Sequence, residues 1–185
     1  MSHISVDLET LGRKPGCIIT QIGLVAFNAK GVIDRTQIYV DAVDCQKHGL
    51  TIDADTVLWW LKQSAEARKH FELPADRLIP ALTKSINFFK QHLGDDDKVW
   101  GNGSDFDKVW GNGSDFDNVI LQAAFEAVGS DVPWKFWQNA CYRTVKGLVH
   151  GITAEPFGTA HVGVDDAEKQ ALHLIKIAQL TGLPL

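Results

Sequence analysis

Residues 3–12 read HISVDLETLG, a short apolar run with two acidic residues near its end. The apolar residues predict a β-strand over residues 3–8. Side chains two positions apart on a strand point to the same face, so Asp7 and Glu9 lie together. Neighbouring carboxylates beside an apolar core are costly unless a positive charge binds them, and Mg²⁺ or Mn²⁺ suits such oxygen ligands. A solvated strand end explains this pair equally well when it is taken alone.

The rest of the chain alternates between strand and helix patterns. Residues 17–27 (CIITQIGLVAF) and 32–40 predict two more strands, which can form a meander with the first. Helical spacing of apolar residues predicts four helices, over residues 53–68, 76–93, 117–128 and 165–180. This order predicts one α/β domain over residues 1–185, with a mixed sheet and helices packed on it.

A tandem repeat interrupts this pattern, because residues 97–106 and 107–116 both read DKVWGNGSDF. The next strand is therefore either Lys98–Trp100 or Lys108–Trp110. An aspartate follows each copy, and we choose Asp117 over Asp107 as the functional one because it alone continues into an apolar helix start. With that choice, strand 108–110 leads into the helix, and the extra ten residues lengthen the connection that precedes the strand. Taken alone, Asp117 is more simply explained as a helix cap.

A third polar segment, residues 161–168, reads HVGVDDAE. His161 lies in a glycine-containing loop, five residues before Asp166 in the first turn of the predicted last helix. Each residue has a structural explanation when taken singly, since an aspartate at a helix start interacts favourably with the helix dipole. The segment becomes informative only in combination with the other two.

Composition narrows the class of protein without identifying it. The 185 residues are 45% hydrophobic and carry a net charge of −5, so a broad basic surface for nucleic acid is not expected. No apolar run reaches the roughly 18 residues of a membrane helix, and the first seven residues lack the regions of a signal peptide. Three widely spaced cysteines predict no disulfide framework and fit the reducing cytoplasm.

Taken together, the three acidic segments resemble the motifs of the DEDDh 3′–5′ exonucleases, which belong to the DnaQ-like superfamily. The motif sequences are most similar to the branch that contains exodeoxyribonuclease VIII and small phage or bacterial 3′–5′ exonucleases. These sequences are VDLETLG, WGNGSDFDNVIL and HVGVDDAEKQAL. Residues 55–64 (DTVLWWLKQS) are also similar to that branch, and the resemblance spans about residues 4–180.

This resemblance implies a ribonuclease-H-like fold, with a central five-stranded mixed sheet flanked by helices. It implies that Asp7, Glu9, Asp117 and Asp166 hold two divalent cations, Mg²⁺ or Mn²⁺, and that His161 is the general base. Such a pair of cations can clamp the attacking and leaving oxygens of a phosphodiester, and histidine titrates close enough to neutrality to accept a proton. The implied reaction releases nucleoside 5′-monophosphates from the 3′ end of a single strand.

Candidate substrate contacts lie in two segments. In this superfamily the residues after the first motif, here Thr10, Leu11 and Gly12, lie against the terminal nucleotide. Trp60 and Gln63 share a helix face, and Val57, Leu58 and Leu61 are expected to take the core side. We therefore expect Trp60, ahead of Trp59, to stack on a base. Core packing of both tryptophans and a plain turn after Thr10 are the structural alternatives.

Three functions stay open at this point. A 3′–5′ exonuclease with DNA slightly favoured comes first, an exoribonuclease second, and a catalytically silent nucleic-acid-binding domain on the same fold third. Homodimerisation is common in this superfamily, and the helix near residues 76–93 and the duplicated segment are the candidate interfaces.

Overall fold

The computed structural model describes residues 2–102 and 115–185. Within these residues, one mixed sheet has five strands in the spatial order β3-β2-β1-β4-β5. β1 is antiparallel to β2, which is antiparallel to β3, whereas β4 is parallel to both β1 and β5. The strands are β1 (His3–Thr10), β2 (Ile19–Asn28), β3 (Gly31–Tyr39), β4 (Val99–Gly101) and β5 (Asn139–Cys141).

Helices pack on both faces of this sheet. The described residues form seven α-helices: α1 (Ala42–Lys47), α2 (Ala54–Trp60), α3 (Ala65–Arg68), α4 (Leu78–His92), α5 (Asp117–Ala127), α6 (Tyr142–Leu148) and α7 (Gly163–Thr181). On one face, Phe89 of α4 and Phe125 of α5 share an apolar cluster with the sheet, and on the other Leu174 of α7 packs with Phe27. β1 and β2 are therefore covered on both sides, which is why they contain long apolar runs. Within the described ranges, no helix combines the length and hydrophobicity needed to cross a bilayer.

Two predicted elements differ from the structure. The helix expected over residues 53–68 is broken into α2 and α3, because the Ser64 side chain accepts a hydrogen bond from the Ala67 N–H and starts a new helix. Leu58 and Leu61 are 56% and 62% exposed, so the expectation that they face the core is wrong. β5, α1 and α6 are short elements that the sequence patterns did not predict.

The strand beside β1 comes from the first copy of the repeat. Val99 and Trp100 are buried in β4, which pairs with β1, while α5 starts at Asp117 after the second copy. The expectation that the extra residues precede this strand is therefore wrong, because the first copy alone makes the described strand pairing and the additional residues follow it. The alternative strand Lys108–Trp110 and Asp107 lie outside the described residues.

Candidate active site

A cavity of about 740 Å³ opens where the carboxyl end of β1 meets the starts of α5 and α7. All five residues predicted for catalysis line it: Asp7, Glu9, Asp117, His161 and Asp166. Residues separated by up to 159 positions thus meet because parallel β1 and β4 end at the same edge of the sheet, where α7 also starts. The volume is typical of a site for a small ligand or part of a larger one.

Asp7 and Glu9 are fixed by the backbone of β1. Both are 8% exposed, and they face the same side of the strand, as the sequence predicts. The Asp7 Oδ1 atom accepts a hydrogen bond of 2.7 Å from the side-chain amide of Gln170 on α7. A longer bond of 3.4 Å reaches it from the Asn102 amide. The Asp7 carboxylate is thus held from two directions at the floor of the cavity.

Asp117 is joined to β1 and β4 by hydrogen bonds to its carboxylate. Its two oxygens accept the backbone N–H groups of Leu8 at 3.1 Å and of Asn102 at 2.6 Å. Asn102 belongs to the first copy of the repeat, and Asp117 directly follows the second. These bonds, rather than a cap on α5 itself, occupy the carboxylate, which lies 1% exposed beneath the cavity.

His161 lies at the mouth of the cavity in an unusual backbone conformation, with φ at +64°. Its backbone N–H donates to Asp166 Oδ2 at 2.7 Å, and its ring Nδ1 lies 3.9 Å from Glu9 Oε1. The Trp59 ring packs edge-on against the imidazole, with centroids 5.0 Å apart. A left-handed conformation at a residue other than glycine is uncommon outside constrained segments, so these contacts fix the imidazole where the carboxylates converge.

Two glutamines that the sequence analysis missed hold this loop. Gln21 of β2 is fully buried, and its amide accepts from the Gly163 N–H at 3.2 Å and donates to the His161 carbonyl at 3.4 Å. Gln37 of β3 donates to Gln21 at 3.0 Å and accepts from the Val164 N–H at 2.6 Å. For Gln21 the available signal was a polar residue in the otherwise apolar strand β2, because a buried amide needs partners.

The electrostatics of the cavity are those of crowded, buried carboxyl groups. Burial and the neighbouring carboxylates Asp117, Glu9 and Asp166 raise the pKa of Asp7 well above its usual range. Burial, with the charges of Asp166 and Asp117, raises the pKa of Glu9 to about 8. Burial raises the pKa of Asp117 to about 7 and that of Asp166 above its ordinary value. The site therefore disfavours four negative charges unless positive charge is added.

These residues fit divalent cations. Ligand atoms of Glu9, His161 and Asp166 lie within 4.8 Å of one another, and Asp7 and Asp117 add two buried carboxylates beside them. Carboxylate oxygens are the ligands that Mg²⁺ and Mn²⁺ prefer, and a bound cation would offset the repulsion that raises these pKa values.

The predicted substrate contacts fall into two groups. Thr10 and Gly12 line the cavity, whereas Leu11 is 9% exposed and packs into the core. Trp60 is 3% exposed, and its ring N–H donates to the Thr10 carbonyl at 2.9 Å. Both tryptophans line the cavity and Trp59 has the more exposed ring, so stacking of a base on Trp60 stays a prediction.

Gln63 lies beyond the end of α2, so it does not share a helix face with Trp60 as the sequence predicts. Its side-chain amide donates to the Trp59 carbonyl at 3.0 Å. Contact of Gln63 with a base edge stays a prediction.

Positive side chains stand around the acidic centre. Arg13 lies after β1, Arg143 and Lys146 lie on α6, and Lys169 lies on α7, and all four line the cavity. A wall of cations around buried carboxylates suits a ligand that carries several negative charges, because phosphate groups are the main attraction for such residues in nucleic-acid-binding proteins.

Comparison with known proteins decides the family. The family model of the 3′–5′ exoribonuclease Rv2179c-like domain matches residues 2–178. The chain belongs to the Rv2179c-like 3′–5′ exoribonuclease domain family. This membership confirms the sequence-based prediction of a 3′–5′ exonuclease of the DEDDh type, while the branch of exodeoxyribonuclease VIII stays a prediction.

Structural comparison bears on the fold. The crystal structure of cell-death related nuclease 4 (CRN-4) superposes with a TM-score of 0.65 at 13% sequence identity. The match covers 97% of this chain and 64% of the CRN-4 chain, so the chain spans less than two thirds of that nuclease. This likeness confirms the predicted ribonuclease-H-like fold. No curated protein sequence matches the chain.

Proposed function

We propose that this domain is a metal-dependent 3′–5′ exonuclease that removes nucleoside 5′-monophosphates one at a time from single-stranded RNA. The carrying observation is that four acidic side chains and His161 line one open cavity, in a chain whose family is described as exoribonuclease. The sequence resemblance slightly favours DNA, so a DNA strand is the second candidate substrate. The family description moves RNA to first place.

Asp7, Glu9, Asp117 and Asp166 would hold the cations, and we propose two, Mg²⁺ or Mn²⁺. When bound, such ions supply positive charge that stabilises the phosphorus centre as negative charge develops on its oxygens. The protein contributes the fixed geometry: β1 positions two carboxylates, α7 positions Asp166, and the Leu8 and Asn102 backbone amides position Asp117.

His161 acts as the general base in this proposal. Its ring lies beside Glu9 and against Trp59, and its neutral form can accept a proton from the water that attacks the terminal phosphodiester. The bond between phosphorus and the 3′ oxygen of the preceding nucleotide then breaks. That oxygen takes up a proton from solvent to become the new 3′ hydroxyl, and the nucleoside 5′-monophosphate is released. The Gln21–Gln37 pair keeps the loop that carries His161 in place.

The terminal base stacks on Trp59 in this proposal, while Trp60 supports that ring from the core. Trp59 is 41% exposed and lies edge-on to Trp60, with centroids 5.1 Å apart. Thr10 and Gly12 form the cavity wall on the same side. Stacking tolerates any base, so this contact gives affinity without strong sequence preference.

The test uses 5′-labelled RNA and DNA single strands of the same sequence with Mg²⁺, with Mn²⁺ and with excess EDTA. We expect a ladder that shortens from the 3′ end, faster on RNA, with 5′-monophosphate products and no reaction in EDTA. Faster loss of DNA would assign the second candidate substrate. Full activity in EDTA would contradict the metal proposal, and binding without hydrolysis would support the silent binding domain instead.

Location and assembly stay proposals as well. Cys17, Cys45 and Cys141 carry free thiols, which suits a reducing cytoplasm. A homodimer is predicted only by analogy with the superfamily, and sedimentation measurements would test it.

A further inference from the structure

A second recess of about 300 Å³ adjoins the active-site cavity. Asn102, Tyr142, Arg143, Lys146 and Gly147 line it, and the first four of these also line the main cavity. The two spaces therefore share a wall, which consists mainly of α6. A ligand larger than the main cavity has a continuous path across this helix.

The shared wall is positively charged. Arg143 and Lys146 are three residues apart on α6, so they lie on the same face of the helix. The charge of Arg143 acts on the active site, because it lowers the pKa of Asp117 against the opposing effect of burial. Arg13, another cation at the cavity, already lies 3.7 Å from the Asp53 carboxylate. Lys169 lines the main cavity but not the recess.

The helix that carries these cations is anchored to the core. The buried Tyr142 hydroxyl is hydrogen-bonded to His173 of α7 at 2.8 Å, and the other ring nitrogen of His173 contacts the Ile152 carbonyl at 3.1 Å. The Lys146 ammonium lies 6.0 Å from the Tyr142 ring centre, within reach of a cation–π contact. α6 therefore holds its positive charges at a fixed place relative to Asp117.

We infer that the α6 wall, through Arg143 and Lys146, binds the internal phosphate next to the scissile one in the substrate strand. The inference rests on the proposed exonuclease function. The scissile phosphate must lie at the carboxylates, so the next phosphate of a longer strand has to cross a wall of the cavity. The α6 wall offers paired cations and a recess, which is the combination a sugar-phosphate backbone requires.

This assignment predicts a dependence on substrate length. The dinucleotide UpU has a scissile phosphodiester and no second phosphate, whereas hexauridylate has both. For Lys146→Glu we expect the kcat/KM for hexauridylate to fall about tenfold more than that for UpU, because only the longer strand carries the second phosphate. Lys90→Glu, at an exposed lysine on α4, is the matched control and should match wild type on both substrates.

Binding provides a readout that is separate from hydrolysis. Fluorescence anisotropy with 5′-fluorescein hexauridylate should show weaker binding by Lys146→Glu. For Lys146→Ala we expect the slope of log affinity against log salt to fall by about one. Equal affinity and equal kcat/KM in wild type and Lys146→Glu would overturn the inference, as would an equal loss on UpU and hexauridylate. Failure of the wild type to hydrolyse either substrate would instead refute the proposed function, while the anisotropy result still decides the role of α6.

Discussion

The two sides of the active site are built by different means. On the first side, β1 carries Asp7 and Glu9, and Asp166 of α7 and His161 of the loop before it stand beside them. β1 pairs with β2 along its whole length. On the second side, three-residue β4 pairs with β1 through Ile4 and Ser5 alone, and Asp117 follows a duplicated segment. The first side is positioned by backbone pairing. The second depends on side-chain hydrogen bonds, to the Asp117 carboxylate and from the Asn118 amide to the Val99 carbonyl.

This difference shows where the site tolerates change in the chain. A register shift of β1 would turn both of its carboxylates away from the cavity, because side chains alternate along a strand. Ten additional residues between β4 and α5 leave Asp117 bonded to Leu8 and Asn102. An insertion is compatible with the second side because hydrogen bonds fix the chain before the insertion, at Asn102, and after it, at Asp117.

The largest effect is expected from Gly23→Val on the first side. A Cβ atom at Gly23 would lie 2.1 Å from the Gly163 carbonyl carbon, where α7 begins against β2. We expect a loss of about 3 kcal/mol or more in the free energy of unfolding, measured by urea denaturation. Gly147→Ala on α6, with no atom within 4 Å of its added Cβ, is the control. Unchanged stability of Gly23→Val would refute this close packing of α7 on β2.

Replacement of His161 should affect the rate far more than the fold. We use His161→Asn, because asparagine tolerates the positive φ of this position better than alanine. Loss of the general base should lower turnover about 10²- to 10⁴-fold, with an unchanged thermal unfolding curve. His150→Ala, an exposed histidine, should keep the wild-type rate. Wild-type rates for His161→Asn across pH 6–9 would show that His161 is structural only.

Gln21→Leu tests whether the first side needs its glutamine pair. The change keeps an apolar side chain of similar size but leaves the buried Gly163 N–H without its partner, at a cost of about 1–3 kcal/mol. We expect a lower melting temperature and about tenfold slower hydrolysis, since the His161 loop loses a contact. Gln122→Leu on the exposed face of α5 should change neither. Equal rates in wild type and Gln21→Leu would show that the Gln21–Gln37 pair does not support catalysis.

Deletion of one repeat copy should have the smallest effect. Because the copies are identical, removal of residues 97–106 or of 107–116 produces the same chain. Exonuclease activity should persist, and the unfolding free energy should rise by about 1 kcal/mol, because loop-closure entropy decreases with connection length. Loss of activity in the shortened chain would mean that the site needs both copies.

The sequence predicted the elements whose patterns are long and missed those that depend on few residues. β1, with Asp7 and Glu9, and β2 have eight and ten residues, long enough for their patterns to be recognised. β5 has three residues, too few to show alternation. The single helix predicted over residues 53–68 was wrong because Ser64 caps a new one.

The residues that support the site were harder to predict from the sequence than the proposed catalytic residues. Asp7, Glu9, Asp117, His161 and Asp166 stand in motifs whose spacing is recognisable. Gln21 and Gln37 act through contacts between different strands and α7, which no local pattern specifies. The choice of the copy that forms β4 also required the fold, since the two copies of the strand segment are identical in sequence.

The central claim is that Asp117, from the second side, completes a metal centre with the carboxylates of the first. Calorimetric titration of Mn²⁺ into wild type, Asp117→Asn and Asp107→Asn tests it without reference to substrate. We predict that Asp117→Asn weakens Mn²⁺ binding at least tenfold and abolishes exonuclease activity, while Asp107→Asn matches wild type in both. The opposite pattern, with binding lost only in Asp107→Asn, would contradict the account.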